Sequence, residues 1–325
     1  MNARYLPLLR LASGKDADVY LGVLRSVQGY GRPVVMKRAF AGLRGDEAKA
    51  RERLVEEADA ALRLRHPHVV GALELAELPE GLVLVYDYVG GLSLYGLVRH
   101  LARDRATVPD AYVCQIVADA AAGLAYSHRV LGRGHGDLSS RNVLISDEAF
   151  GRVIDFAPAH DRLTPHYASP ERARGGPPTE ASDVYSLGLL AYLLRTGAPA
   201  FNAPTSKATL EAIATGPSPE LPAGPLADVT RAMLARNPAG RPTLEEASER
   251  LLMAASGGAS RPAFRRWLRA EAGVLLDARR KRVARIVEGH EREHRNHGDT
   301  RTMAAFEALF EAEGVPELDG TRVER

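Results

Sequence analysis

Cysteine is almost missing from this chain, with Cys114 the single one among 325 residues. An intrachain disulfide and a multi-cysteine metal cluster are therefore excluded, and the composition suits a reducing compartment. Cys114 lies in the apolar run AYVCQIVADAAAGLAY, where a small side chain packs on a helix. Lysine is scarce too: of 43 basic residues only Lys15, Lys37, Lys49, Lys207 and Lys281 are lysine, so each is a less casual choice than usual. No window approaches the roughly 18 consecutive apolar residues of a membrane-crossing helix. The N-terminal stretch has no apolar core followed by a small-residue cleavage site. A net charge of +2 creates no long-range field. The expectation is a soluble, cytoplasmic protein.

What is present is globular in balance, 45% hydrophobic and 26% charged, which argues against wholesale disorder. The first 90 residues predict strands around one helix. LASGKDADVYLGVLR, RPVVMKRAF, HVVGALELAEL and GLVLVYDYV read as strands, and DEAKARERLVEEADAALRLR as a helix capped by Asp46. After Gly90-Gly91 the pattern turns helical, in SLYGLVRHLARD, PDAYVCQIVADAAAGLAYSHRV, SDVYSLGLLAYLLRTG, ADVTRAMLARN and TLEEASERLLMAA. SGGAS (256–260) predicts a linker. A basic helical tail follows it, and MAAFEALFEAEG predicts a last short helix.

Several short segments follow in a definite order. LASGKDADVYLG lies between two strands and VVMK ends the third. Glu57 stands ten residues before Pro67 of the RHPHVV turn, and LVLVYDYVGG comes next. HGDLSSRN then sets Asp137 five residues before Asn142, and VIDFA sets Asp155 thirteen residues beyond that. LTPHYASPE, SDVYSLG and NPAGRPT close the series. In this order the segments resemble the protein-kinase family over about residue 5 to 255, and within it the eukaryotic-like bacterial Ser/Thr protein kinases.

That resemblance implies an α+β bilobal fold: a small β-rich lobe over 1–89, a larger helical lobe over 90–255, and a basic helical C-terminal extension over 256–325. It implies ATP with Mg²⁺ or Mn²⁺ as cofactors and a protein as substrate. Ala12, Gly14, Ala17 and Val19 would cover the nucleotide, and Lys37 would grip its phosphates while paired with Glu57. Tyr86 would be the gatekeeper, with backbone groups of Asp87 and Val89 meeting the adenine edge. Asp137 would take or orient the substrate hydroxyl's proton, and Asn142 and Asp155 would hold the metal. Thr164 would lie beside the substrate site and point to Ser/Thr hydroxyls. Glu171 with Arg241 would form a buried ion pair, and Asp183 would tie a helix to the catalytic loop.

Some letters depart from the family's usual pattern. Alanines stand at two of the three glycine-loop positions, and Lys15 and Asp16 occupy its tip. Gly136 replaces the arginine that answers a phosphorylated activation loop, Ser139 a lysine, Ser140 a proline and Ala157 a glycine. Between Asp155 and Thr164 no Ser, Thr or Tyr occurs. The expectation is a kinase not switched on by activation-loop phosphorylation. A pseudokinase scaffold that binds nucleotide or protein partners stays open as an alternative, as does a small-molecule phosphotransferase that shares His-Gly-Asp.

The tail from 261 to 298 carries 11 basic and 5 acidic residues. A solvated helix face is the plain reading, with an acidic partner, anionic lipid or nucleic acid as the other occupants such charge attracts. His290, His294 and His297 have helical spacing, but Gly289 and Gly298 frame a polar stretch without an evident acidic second shell, and a metal site is not expected there. Trp267, Leu268, Leu275 and Leu276 are expected to dock the tail.

Overall fold

A computed structural model describes residues 4–13, 17–25, 31–39, 46–79, 81–158, 163–255 and 260–297. Gly14, Lys15 and Asp16, most of the expected linker (256–259) and the helix expected over MAAFEALFEAEG lie outside the described residues, as do the side chains of His290, His294 and His297. The chain divides into two compact units. One holds the residues up to Leu62, Gly71–Val89 and those from Asp277; the other holds Arg63–Val70 and Gly90–Leu276.

The first unit is an antiparallel sheet with a helix. Strands β1 (Tyr5–Ser13), β2 (Ala17–Arg25), β3 (Gly31–Ala39), β4 (Ala72–Leu78) and β5 (Gly81–Asp87) lie in the order β1-β2-β3-β5-β4. Alternation puts Tyr20, Val34, Met36, Val83 and Val85 into one apolar cluster with Tyr5. Helix α1 (Glu47–Arg63) starts where the Asp46 carboxylate accepts the Lys49 N–H at 3.2 Å. Its buried stripe is Ala50, Leu54, Ala58, Ala60 and Ala61, interrupted by one charged residue, Glu57. A carboxylate on such a stripe needs partners. The sequence pattern begins a strand at His68, whereas β4 begins at Ala72. Val69 forms an isolated bridge to Val153 within the second unit instead.

The second unit is built around α3 (Asp110–Leu131), a 22-residue helix entered from Pro109 and stopped by Gly132 at φ 67°. Helices α2 (Leu94–Leu101), α5 (Glu180–Thr196), α7 (Pro225–Met233) and α8 (Leu244–Ala255) share its core, while α4 (Pro170–Ala173) and α6 (Ser206–Thr215) join a separate apolar cluster with α5. Thr179 and Ser182 form a reciprocal capping box at the start of α5. Three short strands, β6 (Gly91–Ser93), β7 (Val143–Ser146) and β8 (Gly151–Val153), make a second antiparallel sheet.

Helix α9 (Arg261–His297) contributes to both units. Phe264, Leu268, Ala272 and Leu276 are buried in the core of the second unit, and Trp267 and Leu275 pack against it. Phe264 and Trp267 both lie against the Tyr112 ring, with centroids 5.0 and 5.3 Å away. In the first unit, Val283 is buried with Leu9 and Leu21 of the sheet. Each such aliphatic burial contributes roughly 1.5–3 kcal/mol, so α9 is a structural part of the molecule rather than a trailing tail. No described helix is long and apolar enough to cross a membrane.

Candidate catalytic site

The candidate residues fall into two groups, one in each unit. In the first, strand pairing places Ala12 opposite Val19 and Val19 opposite Lys37, so three of them lie side by side across β1, β2 and β3. Ala17 pairs with Ala39. The Lys37 ammonium donates to Glu57 Oε2 at 2.6 Å. The Tyr86 hydroxyl donates to Glu57 Oε1 at 2.7 Å. Both oxygens of a carboxylate only 2% exposed are thus engaged, which is what its place on the apolar stripe of α1 requires. Tyr86 therefore supplies a hydrogen bond to this cluster as well as a ring. Asp87 ends β5 with its side chain paired to Arg32, and Val89 follows two residues on.

A further buried carboxylate sits at the β1–β2 end. Asp18 accepts the Ser13 hydroxyl at 2.6 Å and the Tyr20 hydroxyl at 3.3 Å, with Arg38 3.6 Å away. In the sequence Asp18 looks like one acidic letter of KDAD. Its partners come from another strand as well as its own, so no local pattern marks it.

In the second unit, Asp183 of α5 organises the loop that carries Asp137. It accepts the His135 N–H at 2.7 Å, the Gly136 N–H at 3.0 Å and a hydrogen bond with His128 Nε2 at 3.0 Å, and it is fully buried. Gly136 has φ 78°, the left-handed region in which glycine is unstrained and other residues are not. The glycine at this position is therefore suited to the backbone the loop adopts. His135 Nε2 meets the Ile154 carbonyl at 3.0 Å, and its ring lies edge-on to Phe156 at 5.1 Å.

Asp137 Oδ1 accepts both the backbone N–H of Thr164, at 2.9 Å, and the Thr164 hydroxyl, at 2.7 Å. Asn142 Nδ2 donates to the Asp137 carbonyl at 2.9 Å, leaving its amide oxygen as the end that can meet a cation. The backbone N–H of Ile154 bonds to the Asn142 carbonyl at 3.0 Å, so Asn142 and Asp155 leave the same end of the β7–β8 hairpin. Asp155 has φ 66°, a conformation that costs a non-glycine residue about 1–3 kcal/mol and persists only where the surroundings enforce it. One amide oxygen and one carboxylate are hard donors of the kind Mg²⁺ takes alongside phosphate oxygens, so the residues fit the metal.

The altered letters have local explanations. Ser140 accepts the Tyr167 hydroxyl at 2.8 Å, so a hydroxyl rather than a proline ring meets the segment after Thr164. Burial raises the Tyr167 pKa, and the Ser140 hydrogen bonds only partly offset that. Ser139 is buried and its hydroxyl accepts the Arg141 N–H at 3.3 Å. Ala157 lies outside the left-handed region, so no glycine is needed there. Arg133 donates to the Phe156 carbonyl at 2.6 Å, a contact its position two residues before His135 did not announce. A small cavity beside Asp137 is lined by Gly136, Leu163, Thr164, Tyr167, Arg172 and Ser186.

Glu171 and Arg241 are joined twice, at 2.6 and 2.9 Å, and the Arg241 guanidinium lies over the Tyr185 ring at 4.8 Å. Burial pushes the Glu171 pKa up. The Arg241 hydrogen bonds and charge, a backbone hydrogen bond and Ser169 outweigh it and hold the group below its ordinary value. For Cys114, burial and then Asp110 push the thiol up to about 12, which makes it packing rather than a nucleophile.

A family model described as "Protein kinase domain" matches residues 8–253. The chain is 32% identical over 274 residues to the serine/threonine-protein kinase PkaB of Streptomyces coelicolor, covering 77% of this chain and 63% of that protein. It is 33% identical over 210 residues to the serine/threonine-protein kinase PknL of Mycobacterium bovis, covering 61% of this chain and 50% of the relative. It is 28% identical over 231 residues to the tyrosine-protein kinase MasK of Myxococcus xanthus, covering 65% of this chain and 36% of the relative. The chain thus spans between about a third and just under two thirds of the lengths of these relatives.

Proposed function

Because this chain belongs to the protein-kinase family, we propose that it transfers the γ-phosphoryl group of ATP to a Ser or Thr hydroxyl of a protein substrate. The observation that carries this reading is the double hydrogen bond from Thr164 to one oxygen of Asp137. It fixes the carboxylate and leaves Oδ2 to receive a hydroxyl. The substrate oxygen attacks the γ-phosphorus, the bond to the bridging β–γ oxygen breaks, and the hydroxyl proton passes to Asp137. Lys37, held by Glu57 and so indirectly by Tyr86, contacts the α and β phosphates. Asn142 and Asp155 would hold Mg²⁺, which would neutralise phosphate charge. Ala12, Ala17 and Val19 cover the nucleotide, and the backbone of Asp87 and Val89 meets the base.

The same reading makes the enzyme independent of activation-loop phosphorylation. The residues between Asp155 and Thr164 offer no hydroxyl to modify, and Gly136 offers no cation to read a phosphate. Asp137 is fixed by Thr164 without either. The domain works where ATP and reduced thiols are found, in the cytoplasm.

Phospho-residue analysis of a protein product tests the assignment. Phosphoserine or phosphothreonine is the expected outcome; phosphotyrosine, or transfer only to small molecules, overturns it. Activity that survives phosphatase treatment of the enzyme is expected, and activity abolished by that treatment contradicts the regulatory part.

A further inference from the structure

We propose that Arg261, which lies beyond the stretch matched by the kinase family model, is a positioning residue for the metal-binding end of the β7–β8 hairpin and acts together with Asp119. The inference rests on Asn142 and Asp155 being the metal ligands. It adds a second requirement, that the C-terminal helix hold them in place.

The hairpin is a short lever. Strand β7 begins immediately after Asn142, β8 ends two residues before Asp155, and Val143 pairs with Val153. Both ligands thus stand at the open end, roughly 13 Å from the turn for four residues of strand. The turn is the end that α9 grips. Ala149 holds φ 63°, a left-handed conformation that an alanine does not favour. Arg261 donates to the Ala149 carbonyl at 2.7 Å, and its guanidinium lies over the Phe150 ring at 4.6 Å. One helical turn on, Arg265 pairs with Glu148 at 2.9 Å.

Asp119 completes the clamp from α3. Its two oxygens accept both terminal nitrogens of Arg261 at 2.7 Å, and Oδ2 also accepts the Gly151 N–H at 2.8 Å. His68 lies 3.6 Å from Oδ1. The carboxylate is buried, and a Cβ on Gly151 would lie 3.0 Å from both the Asp119 Cβ and the Ile116 carbonyl. The close approach of hairpin to helix therefore depends on glycine, and its register on the Asp119–Arg261 fork. Removing Arg261 leaves a buried carboxylate without its cation beside a strained turn. The turn relaxes, and the displacement passes along four residues to the ligand pair.

The test uses the full chain with Arg261→Ala and Arg261→Lys. Mn²⁺ is titrated in the presence of ATP and followed by electron paramagnetic resonance, and amide hydrogen exchange is measured across 142–156. Arg261→Ala should weaken Mn²⁺ binding about tenfold, as loss of a group that orients a metal ligand does, and speed exchange in that segment. Arg261→Lys, which offers a single nitrogen in place of a planar fork, should lie between. Should the alanine variant not fold, the lysine variant decides. A folded variant with a lowered melting temperature but unchanged Mn²⁺ titration and exchange overturns the positioning role. Wild-type protein that binds no Mn²⁺ overturns the metal-ligand reading and the proposal with it.

Discussion

The hydroxyl and the backbone N–H of Thr164 converge on a single oxygen of Asp137, at 2.7 and 2.9 Å. Two donors on one oxygen orient the other. Thr164→Ala removes one of them and should lower kcat about tenfold to a hundredfold, within the range that positioned general bases contribute, with KM for ATP little changed. Thr164→Ser should retain most of the rate. Steady-state kinetics on a peptide acceptor distinguish these outcomes.

Tyr86→Phe deletes the donor to Glu57 Oε1 while keeping the ring. The oxygen is left buried with one bond fewer, at a penalty of about 1–3 kcal/mol. The Lys37–Glu57 contact should loosen, so KM for ATP should rise along with a fall in melting temperature. A thermal melt with unchanged ATP dependence would show that the hydroxyl does not support the pair.

The Glu171–Arg241 pair sets a pH dependence. The folded pKa of Glu171 lies below its ordinary 4.5. Its contribution is therefore fully present above about pH 4.5 and is lost as pH falls through the lower, folded value. Glu171→Gln should cost up to about 3–5 kcal/mol at neutral pH, because it leaves a fully buried guanidinium unpaired. The variant should also lose less stability than wild type between pH 5 and the acid side. Urea melts at neutral and acid pH give both numbers.

Gly136→Arg restores the side chain the family usually has, but on a backbone at φ 78°. The variant should lose about 1–2 kcal/mol of stability. It should not acquire phosphorylation-dependent activity, since no Ser, Thr or Tyr lies between Asp155 and Thr164. Chemical denaturation and a kinase assay after phosphatase treatment check the two halves.

Much of this site was legible because kinase motifs are local. The six residues from Asp137 to Asn142 form one loop, and their spacing survives in the sequence. The Lys37–Glu57 contact could be expected from two such segments. The Tyr86 hydroxyl on Glu57 could not, since the resemblance gave this tyrosine a gatekeeper's place and no hydrogen-bond partner. Strands β6, β7 and β8 are three or four residues long, too short for alternation to show. Asp119 and Arg261 are 142 residues apart, and each looked like an ordinary charge on a helix. Long-range polar pairs of that kind leave no periodicity, because their geometry is set by tertiary packing.

The most direct test of the central claim is γ-phosphate transfer from labelled ATP with Mg²⁺, and then Mn²⁺, to the protein itself and to generic protein acceptors. Asp137→Asn and Lys37→Met proteins are run alongside. The account predicts transfer by the wild type and its loss in both variants. Folded wild-type protein that binds nucleotide yet transfers nothing would contradict it and mark HGDLSSRN as part of a scaffold.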